Sequence, residues 1–63
     1  MATYNFYQWV SESGSLIYSG SFVDDPTAIA YLSNLPGGYT YSIDRVNVVS
    51  SSLSYTTCIY GVD

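Results

Sequence analysis

Apolar and polar residues alternate along most of this chain with a period of two, and one short interval breaks the rhythm. Residues 3–11, TYNFYQWVS, and residues 16–23, LIYSGSFV, are rich in the aromatic and β-branched types that suit a pleated, half-buried surface. The SESGS between them is a turn by composition, so the two runs predict a hairpin. With Ser11 facing Leu16 across a four-residue loop, Trp9 falls opposite Tyr18 and Tyr7 opposite Gly20. That register pairs two aromatics across the strands and lays a third over a strand glycine, both stabilising arrangements. The other face of the hairpin then holds Tyr4, Phe6, Val10, Ile17 and Val23, so both of its faces are apolar enough to be covered.

The interval VDDPTAIAYLSNLPGG, residues 23–38, is written with a helical period instead. Asp24 or Asp25 can cap the first turn by accepting from free backbone N–H groups, and both suit the positive end of the helix dipole. Pro26 fits the first helical position, where no donor is needed. Ala28, Ile29, Leu32 and Leu35 recur at helical spacing, and Pro36-Gly37-Gly38 ends the segment. A helix of roughly nine or ten residues is unstable alone, so Ile29 and Leu32 must lie on a sheet.

Residues 39–49, YTYSIDRVNVV, alternate through Tyr39, Tyr41 and Ile43, then slip in phase to Val46 and Val48. A β-bulge at Asp44-Arg45 restores one apolar face. Pairing with residues 53–62, LSYTTCIYGV, through a turn at 50–52 sets Val48 against Leu53, Val46 against Tyr55 and Tyr41 against Ile59, with Tyr39 over Gly61. Thr40, Ser42, Arg45, Asn47, Ser54, Thr56, Cys58 and Tyr60 then share the opposite, polar face. These elements predict an α+β fold: one ββαββ domain spanning residues 1–63, a four-stranded antiparallel sheet in the order 2-1-3-4 with one short helix packed on one face. The helix can cover only one side, so Tyr7, Trp9 and Tyr18 are expected on the other, beside a field of hydroxyls.

Size sharpens this picture, because 63 residues is close to the length below which a lone core is marginal. Cys58 is the only cysteine and there is no histidine, which excludes an internal disulfide and a His/Cys zinc site. Self-association remains as a route to further burial, and a homo-oligomer is expected. Charge is sparse, 10% of residues against roughly 25% in an average soluble domain. Arg45 is the only Lys or Arg; Glu12, Asp24, Asp25, Asp44 and Asp63 bring the net charge to −4. A content of 48% hydrophobic and 17% aromatic residues argues for a folded chain. No secretory leader, glycosylation acceptor or membrane-length apolar run is written into it, and a single thiol suits a reducing compartment, so the expectation is a cytoplasmic protein with no membrane contact.

The residue inventory removes whole classes of chemistry. Without histidine or lysine, the usual bases, the Schiff-base nucleophile and the phosphate-loop lysine are missing, and Cys58 has only carboxylates or Arg45 as neighbours in type. Asp24-Asp25 lacks the ligand spacing of a calcium loop, and a Glu12/Asp44 carboxylate pair would lack the deep cleft needed to raise one pKa. LPGGY follows a helix, so it is a helix stop and not a phosphate loop. The chain is expected to be no enzyme and to hold no cofactor or metal. One cation against five carboxylates also disfavours direct contact with nucleic acid.

Protein binding survives these exclusions, since tyrosine and tryptophan are abundant and lysine and glutamate scarce, as at interface centres. The candidate patch is Tyr7, Trp9, Tyr18, Arg45 and Tyr60. The expected partner is another protein with a basic surface, such as a nucleic-acid groove. Compact acidic inhibitors encoded by phages and mobile elements, directed at host defence or nucleic-acid-processing proteins, are an analogy in size and charge. Five acids form too sparse a lattice to mimic DNA, so aromatic anchors would carry the affinity while charge assists the approach. Two alternatives stand beside this one. The first is a homo-oligomeric sponge for a nucleotide-like ligand, with Arg45 repeated about the symmetry axis at the phosphates; the second is a structural or assembly protein.

Overall fold

The computed structural model describes residues 1–61. Strands β1 (Ala2–Val10) and β2 (Ser13–Phe22) are followed by helix α1 (Asp25–Ala30), which a 3₁₀ turn (Tyr31–Asn34) continues, and then by β3 (Thr40–Ser50) and β4 (Leu53–Tyr60). All neighbouring strands are antiparallel and the sheet order is β2-β1-β3-β4, the predicted ββαββ architecture. Val62, predicted as the end of the last strand, lies outside the described residues.

Asp24 is the helix cap. Its backbone is extended and its Oδ1 accepts from the Thr27 amide at 2.9 Å and the Thr27 hydroxyl at 2.6 Å. Pro26 occupies the first turn, as its missing donor allows. The helix tightens after Ala30, and the Leu35 amide closes the 3₁₀ turn on the Leu32 carbonyl at 3.0 Å. The Tyr41 hydroxyl then donates to the Pro36 carbonyl at 2.6 Å, tying the exit of the helical segment to β3.

The core lies between α1 and the two central strands, where Tyr4, Phe6, Ile43 and Ala28 are buried. Ala28 has almost no side chain, which lets the helix backbone settle close to the sheet. Phe22, Ile29, Tyr31, Leu32, Leu35 and Ile59 pack around these four. Much of the filling is aromatic: the Phe6 ring centroid lies 5.7 Å from Tyr18, 5.4 Å from Tyr31 and 5.6 Å from Phe22, and Tyr18 stacks on Tyr31 at 4.9 Å. Edge-to-face and offset contacts of this kind add to the area buried by each ring.

The first hairpin departs from its predicted register. Its turn is only Ser11-Glu12, with Val10 opposite Ser13, so β2 begins at Ser13 and not at Leu16. Trp9 therefore faces Gly14 and Tyr7 faces Leu16, in place of Tyr18 and Gly20. Ile17 is an extra residue between the Tyr7–Leu16 and Phe6–Tyr18 pairs. This bulge changes the phase of β2 midway, so Leu16 stays beside Tyr7 on the uncovered face while Tyr18 and Phe22 join the aromatic cluster beneath the helix. Tyr18, expected on the uncovered face, belongs instead to the margin of the core.

The second hairpin differs in the same way. β3 runs beside β1 from Thr40–Trp9 to Val46–Thr3 without a shift, so it carries no bulge at Asp44-Arg45. The extra residue at that level is Ile59 of β4, and a second is Val49 of β3 beside the turn, beyond the residues that pair with β1. At Asp44-Arg45 β3 is paired on both sides, so a bulge there would disturb two ladders, whereas one in the edge strand, or in β3 beyond Val46, disturbs one. Strict alternation puts Arg45 and Asn47 on the Ile43 face, toward the helix, and sends Val46 and Val48 to the face of Ser42. Val46 and Val48 consequently oppose Thr56 and Ser54, and Gly61 lies against Ser42 instead of under Tyr39.

Candidate functional site

At the end of the sheet where β1 stops, β3 starts and β4 finishes, aromatic side chains gather on both faces: Tyr7 and Trp9 on the uncovered one, Tyr41 and Tyr60 on the side of Ile43. Trp9 is the best positioned of them. A Cβ built on Gly14 would stand 2.7–2.8 Å from three atoms of the indole six-membered ring, so the ring rests on the bare backbone of β2. Its Nε1 donates to the Ser42 hydroxyl at 2.8 Å, and Ser42 is itself buried under it. With its polar atom satisfied and one face on glycine, the indole still leaves 36% of its surface exposed. Tyr7, half-buried, lies between Leu16 and Ser42 on the same face.

Thr40 pairs with Trp9 across β1 and β3 and carries the surface onward. Tyr39, Thr40, Tyr41, Tyr60 and Gly61 line an open cleft of about 380 Å³. Tyr39 and Tyr60 are 51% and 44% exposed there. The Tyr39 ring meets Tyr41 edge-on at 6.4 Å, and Tyr41 is anchored by its bond to Pro36. Gly61 closes the site because its φ of +113° suits glycine, and a Cβ on it would come within 2.6 Å of the Ser42 Cβ.

Of the five residues expected to form one patch, Tyr7 and Trp9 share the uncovered face, whereas Tyr60, opposite Ile43, lines the cleft at the same end of the sheet. Tyr18 is on the helix side, stacked on Tyr31. Arg45 is also on the helix side, with its Nη1 donating to Asp25 Oδ2 at 2.6 Å and its Nε to Asn47 Oδ1 at 3.2 Å. The second Asp25 oxygen accepts from the Tyr4 hydroxyl at 2.5 Å. The Tyr4 bond, with Arg45 beside it, holds the Asp25 carboxyl below the usual carboxylate range, while the same bond pushes the Tyr4 phenol up. Asp24 is likewise lowered, chiefly by the Thr27 hydroxyl. Asn47 extends the network by donating to Thr57 Oγ1 at 2.8 Å, so α1, β3 and β4 are joined by one polar chain.

Sequence reasoning misses Tyr39 and Tyr41 as site residues, although the signal is present in the alternation Tyr39-Thr40-Tyr41 just after Gly37-Gly38. Alternation alone assigns both to the core face of β3, and Tyr39 instead precedes the strand and stays in solvent. Cys58 is a free, exposed thiol whose Sγ donates to the Tyr60 carbonyl at 3.4 Å. Among the described residues no group of three or more His, Cys, Asp or Glu is placed to hold a metal ion. No helix among them is long and apolar enough to cross a membrane. No protein-family model matches this chain, and neither curated proteins nor solved structures match it.

Proposed function

We propose that the chain is a non-enzymatic protein-binding module whose contact surface wraps the aromatic end of the sheet, with Trp9 on the uncovered face and Tyr39 and Tyr60 at the cleft as anchors, and Thr40, which pairs with Trp9 and lines the cleft, joining them. The observation that carries this reading is the fixed indole: Trp9 is held by Gly14 and Ser42 yet still open on its outer side. An anchor that loses little freedom on docking avoids much of the entropy cost of association. Aromatic anchors around a cleft, surrounded by hydroxyls and without a cation, have the composition of an interface centre. Glu12 in the adjoining turn and a chain charge of −4 favour a partner with a basic surface and speed its approach. Within this reading the protein acts stoichiometrically, as an inhibitor or adaptor that occupies the partner's groove. The nucleotide-sponge alternative loses support, because Arg45 is engaged by Asp25 and Asn47.

Affinity capture from the native host, comparing the wild-type chain with Tyr39→Ala, Tyr60→Ala and Val48→Ala, tests it. The expected result is a partner retained by wild type and Val48→Ala and lost from both tyrosine variants. Recovery that is equal across all four chains would remove this surface from the function.

A further inference from the structure

The outer edge of β4 is open. β4 ends the sheet, and the only backbone hydrogen bonds outside regular elements among the described residues are Ala28 to Asp24 and Leu35 to Leu32. No described loop or helix therefore satisfies the outward N–H and C=O groups of Leu53–Tyr60. Natural edges are blunted by lysine, proline, inward charge or a bulge, and from Leu53 to Cys58, before the Ile59 bulge, this strand has none of these. Its neighbourhood is apolar as well: Val48 is 73% exposed, and Leu53 and Tyr55 are each 58% exposed.

Charge decides what can cover this edge. The chain carries −4, so two copies repel unless they meet where carboxylates are absent. Residues 46–62 contain no Asp, Glu, Lys or Arg. The other edge, β2, is flanked by Glu12 at one end and Asp24-Asp25 at the other, and its ladder is broken midway by the Ile17 bulge. Antiparallel self-pairing of β2 would bring Glu12 of one copy to the aspartates of the next. Self-pairing of β4 brings together only uncharged groups: hydroxyls, aliphatics, Tyr55, Tyr60 and the Cys58 thiol.

We propose that two copies of this chain pair through β4, antiparallel about a two-fold axis perpendicular to the sheet, to make one eight-stranded sheet with both helices on the same side. Such an axis keeps every residue on its own face, so it crosses the strand where a residue meets its own copy. The regular stretch Leu53–Cys58 centres that crossing on Tyr55 or Thr56. The pairing satisfies the open backbone, brings the Leu53–Tyr55 surfaces of the two copies together, and adds burial to a domain whose core has four buried apolar residues. It leaves Trp9 and Tyr39 of each chain free, brings Tyr60 at the end of β4 beside the turn of the other copy, and does not rest on the function proposed for the aromatic end.

Thr56 is exposed on the uncovered face, and in either register its own copy lies opposite or diagonal to it, within about 8 Å. The test is absolute mass by light scattering across a dilution series, for wild type, Thr56→Asp, Thr56→Lys and an equal mixture of the two variants. Wild type should give twice 6.9 kDa, Thr56→Asp should raise the dissociation constant about tenfold or more, and the mixture should restore the dimer through an Asp–Lys pair. A wild-type monomer at all concentrations, or a dimer indifferent to Thr56→Asp, would overturn the proposal. Hydrogen exchange on the unaltered chain is a second measurement, and it needs no variant to fold. The outward amides of β4 should slow as protein concentration rises, and concentration-independent exchange there overturns the interface.

Discussion

Trp9 and Tyr18 make the same kind of contact on opposite faces of the sheet. Each ring lies over a strand glycine, Gly14 for Trp9 and Gly20 for Tyr18, at distances that leave no room for a Cβ. Tyr18 then stacks on Tyr31 at the margin of the core, while Trp9 bonds Ser42 on the uncovered face and becomes a candidate anchor; both rings keep an exposed side. Ser11 shows the converse, a residue in a conformation that suits glycine better, with φ at +56° in the turn of the first hairpin. Left-handed backbone disfavours a residue with a Cβ, so Ser11→Gly should raise stability, by about 0.5 kcal/mol once glycine's extra unfolded-state entropy is subtracted. Urea unfolding of the two chains measures it, and a lower midpoint for the glycine variant would contradict the turn geometry.

At the scale of elements, the hairpins and the helix were legible because their signals are local. Turn composition, alternation and the Asp-Pro start each depend on a few adjacent residues. The strand phases were not legible, since a bulge is decided by what the neighbouring strand and the helix need. Arg45 illustrates this: its sequence neighbours Val46 and Val48 invite a bulge, but Asp25 on the helix offers a carboxylate that only an unbulged β3 can reach. Of the five predicted patch residues, Tyr7 and Trp9 share a face, and the other three, Tyr18, Arg45 and Tyr60, are those whose placement depends on where a bulge falls. The first turn of α1 also sets the response to pH. Asp24 and Asp25 titrate below the usual carboxylate range in the folded chain, so the unfolded chain binds protons first as pH falls. Their contribution is complete above the ordinary carboxylate pKa of about 4 and is lost as pH drops through the lowered values. Tyr4 titrates above its usual value, so its contribution is complete below about pH 10 and fades on the alkaline side. Urea midpoints measured from pH 2 to pH 7 should fall at the acid end, and less steeply in Asp25→Asn, which cannot ionise. Asp24→Asn, which keeps a capping oxygen, should remain more stable than Asp24→Ala; equal loss in both would assign the cap elsewhere.

The whole molecule is long and thin for its mass, with extents of 37, 24 and 17 Å, and four buried apolar residues at its centre. Small domains of this kind have a few kcal/mol in reserve. Removing most of a fully buried aliphatic side chain costs about 2–5 kcal/mol, so Ile43→Ala should leave a large fraction of the chain unfolded at 25 °C. Circular dichroism and thermal melting check this directly, and a cooperative transition within a few degrees of wild type would mean that the core extends beyond these four residues. The same thinness explains why so much aromatic surface lies outside the core: a single short helix covers one side of the sheet, and Trp9 falls on the other. Because this is the only tryptophan among eight tyrosines, the molecule carries its own optical reporter at the place where contact is proposed. Excitation absorbed by the tyrosines can be collected by that one indole, and its emission will shift when the exposed side is dried. Docking at the aromatic end can therefore be followed in unlabelled protein, in real time, as a change in the colour of a single residue.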